Sequence, residues 1–188
     1  MRRLFALVAM VVACSSNASV SSAEDAKNAY LGLDASIDKA ITLGFAGFNS
    51  ASSANISPQN DVGAKGGTMT ITGQVDQGAS NNKGMRLFEK LITYSDNGTI
   101  TYSTSDAALP ALNMTLKGIP TGTLTGTLIG SYAMDGALKG PVDLNLSFTG
   151  QLQPNATDAK KVERKPGTTH ITGTATASGT SYAVDITR

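Results

Sequence analysis

Two periodicities divide the chain. Ala26, Tyr30, Leu33, Ile37, Ile41, Phe45 and Phe48 recur at spacings of three and four, with Gly44 in the same phase, which is the apolar stripe of an amphipathic helix. Ser22, followed three positions on by Asp25, makes a capping-box-like start, and Glu24 and Asp25 suit the positive end of the helix dipole. The pattern predicts a helix over residues 23–43 that frays or kinks at Gly44 and Gly47. Residues 50–67, rich in Ser, Asn and Gly and containing Pro58, read as a connecting loop.

From Gly67 onward the period is two. Met69, Ile71 and Val75 alternate with Thr68, Thr70 and Thr72. Met85–Tyr94 is mixed and reads as a strand buried on both faces or as a short helix. Ser95-Asp96-Asn97-Gly98 is a hairpin turn, because Asn-Gly accepts positive φ at both central positions, and Thr99–Thr104 returns from it. Leu112, Met114 and Leu116 mark a further strand. The longest pair, Leu124–Met134 and Leu138–Leu152, turns at Asp135-Gly136. Its inward positions include Gly126, Gly130, Gly140 and Gly150, which permit sharp curvature and close approach of another element. Pro141 argues for an edge or a bulge. A last hairpin, Thr168–Ala177 and Thr180–Thr187, turns at Ser178-Gly179.

These elements predict a mainly β domain. Seven or eight strands form an antiparallel meander, curled into a barrel or half-barrel, with one N-terminal amphipathic helix packed on it; a two-sheet sandwich is the alternative. An outer-membrane barrel fits poorly, since aromatics are 5% with no Trp, too few for two interfacial girdles.

The N-terminus carries a different signal. Met1-Arg2-Arg3 precedes an uncharged run, Leu4 to Ala13, of roughly 15 Å as a helix, too short to span a bilayer and laid out as a secretory signal. It ends Val11-Val12-Ala13-Cys14, which resembles the lipobox of bacterial lipoproteins, and Cys14 is the only cysteine of the chain. The resemblance covers the first fourteen residues alone. It implies removal of residues 1–13, a lipid on Cys14, and a cell-envelope location anchored to a membrane, the outer one if the source is Gram-negative. An ordinary signal peptide cut after Ala18 or Ala23 is the other reading. On the lipobox reading residues 14–22 are a lipidated tether, reaching roughly 25 Å when extended, and 23–188 one β-rich domain.

Charge and chemistry narrow the function further. Of 15 Lys and Arg, Arg2 and Arg3 leave with the signal, and the rest balance 14 Asp and Glu. Nucleic acid is therefore not an expected partner. One His and one acylated Cys exclude the common zinc and transition-metal sites. His170 reads as a surface histidine on a strand. Asp96, Asp135 and Asp158 sit in turns, and Asp143 and Asp185 point outward. Glu89, between Arg86 and Lys90, reads as a surface ion pair, with partial burial the alternative. Lys160, Lys161, Arg164 and Lys165 read as a solvated loop, and the threonine rows as an exposed pleated face. No catalytic, cofactor-binding or metal residue is assigned.

The expectation is thus a membrane-anchored envelope lipoprotein with a non-catalytic structural or interaction domain. The alternative is a carrier or sensor of an apolar ligand or lipid. Such a ligand would lie between the sheet and the helix residues Tyr30, Leu33, Ile37, Ile41, Phe45 and Phe48. Expected partners are the membrane, through the lipid, and either a lipid or an envelope protein.

Overall fold

The computed structural model describes residues 18–76, 81–159 and 161–188, so the signal segment, Cys14 and Lys160 lie outside the described residues. Two helices, α1 (Ala23–Leu31) and α2 (Asp34–Ser50), precede the strands. These are β1 (Asn55–Val62), β2 (Gly66–Val75), β3 (Lys83–Ser95), β4 (Ile100–Ser103) and β5 (Ala111–Lys117). They continue as β6 (Thr123–Gly136), β7 (Gly140–Pro154), β8 (Val162–Arg164), β9 (His170–Ala177) and β10 (Thr180–Thr187).

The strands make one antiparallel sheet in the order β1-β2-β3-β4-β6-β7-β9-β10, not two packed layers. β4 and β5 share one lane between the long strands: β5 pairs the start of β3 and β4 its end, and both pair β6. The short β8 pairs the end of β7. Curling brings the two edge strands towards the helices. α2 packs on β1 and β2 while α1 packs on β10 and β9. Inward residues from the strands and the helix stripe form one core cluster, so a curled sheet wrapped on a helical unit is the architecture.

The helix differs from its sequence pattern in two places. It breaks at Gly32-Leu33, where Tyr102 enters and its hydroxyl donates to the Ala29 carbonyl at 2.8 Å. A Cβ on Gly32 would lie 2.2 Å from that hydroxyl oxygen, so only glycine fits. Conversely, the helix runs through Gly44 and Gly47 to Ser50. Glycine there costs about 1 kcal/mol of propensity, but the space is used: a Cβ on Gly47 would sit 2.8 Å from Ile56 Cβ.

Three strand readings also change. Residues 50–67 contain β1, an edge strand with one inward apolar residue, Ile56, and so without visible alternation. Met85–Tyr94 is a strand and it does alternate, with Leu87, Glu89 and Leu91 inward. A register shift opposite Thr93, whose φ is +46°, then resets the phase so that Tyr94 points in. β6 runs through Asp135-Gly136, and the turn falls at Ala137–Lys139. The turns at Asn97-Gly98 and Ser178-Gly179 stand where the sequence puts them. At Gly126 a Cβ would meet Phe148 Cζ at 2.5 Å, the close approach expected of an inward glycine.

The chain is fixed earlier than its tether-like composition suggests. Ala18 bridges Leu138 in parallel, its carbonyl accepts from Lys139 N at 3.1 Å, and Val20 is buried.

Candidate functional site

The helix stripe was the expected ligand face. Tyr30, Leu33, Ile37 and Ile41 are fully buried in the core, and Phe45 and Phe48 pack half-buried at its margin. The approach of helix to sheet is close along this line. A Cβ on Gly44 would touch Met85 Sδ at 3.1 Å. Of the stripe residues, Phe45 lines a cleft of about 250 Å³, with Thr42, Asp158 and Val162, beside the stripe and not beneath it.

A second feature lies where α2 meets β8. Arg164, 8% exposed, donates from Nε and Nη2 to the two oxygens of Asp38 at 3.1 and 2.8 Å. Its Nη1 reaches Asp34 Oδ1 at 2.8 Å and its Nη2 the Asp34 carbonyl at 2.7 Å. Tyr30 donates to the same Asp34 oxygen at 2.6 Å, and Arg188 approaches the other at 3.5 Å. Burial pushes the Asp34 carboxyl up, but the Arg164 hydrogen bond and charge outweigh it and hold the group below its ordinary value. Burial acts to lower the Arg164 pKa, and the two aspartates reverse this and raise it. A cleft of about 460 Å³ opens here, reaching Lys165 and Thr169. Two carboxylates converge, yet Asp34 is held ionised by the guanidinium, the opposite of what a general acid needs.

The third feature is interior. Glu89 is fully buried; Tyr132 donates to its Oε2 at 3.0 Å, and its Oε1 has no hydrogen-bond partner among the described residues. Burial pushes its pKa up to about 7, with the Tyr132 hydrogen bond opposing. Tyr132 meets Tyr102 edge to face, at 6.3 Å between ring centroids. The expected surface ion pair with Arg86 or Lys90 is therefore overturned: Arg86 pairs with Gln74 and Asp76, and Lys90 with Asp106. The reason is phase, since Glu89 shares the inward face of Leu87 and Leu91.

The convex face is polar, with few exceptions. A cleft of about 530 Å³ crosses β3, β5 and β6 between Asp76, Arg86, Asn113, Thr115 and Thr127. Phe88, Ala111 and Ile129 form the next cross-strand row, with Phe88 and Ile129 exposed. His170 Nε2 lies 2.9 Å from Asp185 Oδ1, both on exposed positions of β9 and β10; neither lines the clefts above. No family model, curated protein or solved structure matches this chain.

Arg164 and its aspartates are what sequence reading missed. Arg164 is read as part of a solvated basic cluster and is instead a buried link between β8 and α2. One local signal existed: Asp34 and Asp38 stand four apart on one helix face, a like-charge pair that calls for a cation.

Proposed function

We propose that this chain is a cell-envelope lipoprotein, anchored through acylated Cys14, whose curled β-domain is a non-catalytic structural or interaction module. In a Gram-negative source the outer membrane is the location. The observation that carries the choice of an interaction module is the packing of the helix stripe. Tyr30, Leu33, Ile37 and Ile41 are consumed by the core, so the space a carrier would give its ligand is occupied by side chains. The polar convex face, with Phe88 and Ile129 exposed among threonines, supports contact with a partner. Arg164, Asp34 and Asp38 are bonded to one another in the cleft, which suits a structural role.

Metabolic labelling with an alkyne fatty acid tests the anchor. Label is expected on the wild type and not on Cys14→Ser; label persisting on that variant overturns the proposal. Native mass spectrometry of detergent-free domain tests the choice of module. A co-purifying fatty acid or phospholipid, displaced by Phe45→Asp, would replace the interaction reading with the carrier one.

A further inference from the structure

The fold sorts its turns between two ends. The β1–β2 turn, the β3–β4 turn and the β6–β7 turn lie side by side. Lys65 N donates to Ser95 O at 2.9 Å, Ala64 N to Asp96 Oδ1 at 2.8 Å, and Ala137 N to Thr99 O at 2.8 Å. The β9–β10 turn is at the same end, because Thr176 pairs with Asp143 near the start of β7. The β2–β3 and β5–β6 connections lie at the other end, with the β7–β8 loop. β6 runs between them for 14 residues, about 45 Å at the usual rise per residue.

The first described residue joins the first of these ends. Ala18 is fastened to Leu138 and Lys139 in the β6–β7 turn, and Val20 is buried just behind it. Only residues 15–17 separate Ala18 from Cys14. A span of four residues reaches at most about 14 Å, a third of the length of β6. The tether read from composition, residues 14–22, would let the domain swing; the strap at Ala18–Val20 removes most of that freedom.

We infer that the end bearing the β1–β2, β3–β4 and β6–β7 turns is a membrane-apposed surface resting on phospholipid headgroups, and that the Asp76–Arg86–Asn113 cleft is presented away from the bilayer. The inference rests on the acylation of Cys14. The surface suits its partner. Its turn tips are small or polar residues, among them Ala64, Asn97, Gly98 and Ala137, with Lys65 and Lys139 exposed. Asp96 is turned inward onto Lys39 at 2.7 Å, and Asp135 lies 3.6 Å from Lys139, so these two carboxylates are each paired with a lysine, while Asp25 beside the turns is held by Ser21 and Ser22. Lysines near an anionic leaflet are attracted to its headgroups. The cleft near Thr127 and Thr125, at the other end of β6, is then the part of the domain most open to another molecule.

The acylated full-length protein in vesicles of phosphatidylethanolamine and phosphatidylglycerol gives the test. Cys14 is blocked by its lipid, so Lys139→Cys and Thr125→Cys each offer one thiol for a fluorophore, both at exposed positions. With nitroxide-headgroup lipid, the label at 139 is expected to be quenched several-fold more than the label at 125. Equal or reversed quenching on protein that floats with the vesicles overturns this inference and leaves the anchor standing. Protein that does not float overturns the anchor, and the inference with it.

Discussion

Tyr132 donates a hydrogen bond to Glu89 across 3.0 Å in the centre of the core, and among the described residues no salt bridge reaches that carboxyl. Burial raises Glu89 from the ordinary 4.5 to about 7. The folded protein therefore holds a proton that the unfolded chain releases. The resulting stability is complete below pH 4.5 and is lost as pH rises through about 7. Glu89→Gln should flatten this dependence, matching the wild type near pH 4 and exceeding it at pH 8 by on the order of 3 kcal/mol. Urea unfolding at the two pH values measures it. A wild type whose stability does not fall between them would contradict the buried neutral acid.

Arg164 offers the reverse case, a buried cation with its charges matched. Arg164→Met leaves Asp38 without its cation and Asp34 with only the longer contact to Arg188, and should cost about 3–5 kcal/mol. Adding Asp34→Asn and Asp38→Asn to it should recover much of that loss, because no buried charge then remains. If the triple variant is no more stable than the single one in thermal unfolding, the cost came from packing and not from charge.

Gly32 and Tyr102 form a steric pair. Gly32→Ala drives a methyl into the Tyr102 hydroxyl, inside the core, and should destabilise by about 1–3 kcal/mol. Tyr102→Phe removes the hydroxyl but leaves ring atoms 2.9 Å from the new methyl, so it should rescue part of the loss and not all. The coupling is read from a double-mutant cycle on denaturation midpoints. Strict additivity would show that the two residues do not meet.

Ser36 is buried on α2 with a hydroxyl that finds no partner among the described residues. Ser36→Ala removes that unsatisfied group and improves helix propensity, for a gain of about 1 kcal/mol. A rise in Tm is expected; a fall of similar size would count against the unpartnered hydroxyl.

The sheet, the stripe and most turns were legible because their signals are local. Leu124, Leu128 and Tyr132 announce the buried face of β6 within nine residues, and Asn97-Gly98 needs only its own backbone to turn. Even Glu89 was legible in principle, being in phase with Leu87 and Leu91. Its charged neighbours Arg86 and Lys90 argued for the surface, and the alternation of β3 outweighed them. β1 was not legible, because an edge strand closed on one side by α2 needs a single apolar anchor, Ile56.

What the sequence by itself determined is a class: a period-two chain behind one apolar helical stripe. Only the tertiary structure decided the pairings that cross the chain. Arg164 meets Asp38 at 126 positions' separation, and Tyr102 reaches Ala29 across 73. Ala18 is fastened to Leu138 in the same way. Such contacts depend on how the sheet curls, and curling is set by the sum of many inward side chains and missing ones, Gly32 and Gly126 among them. No local window holds that sum.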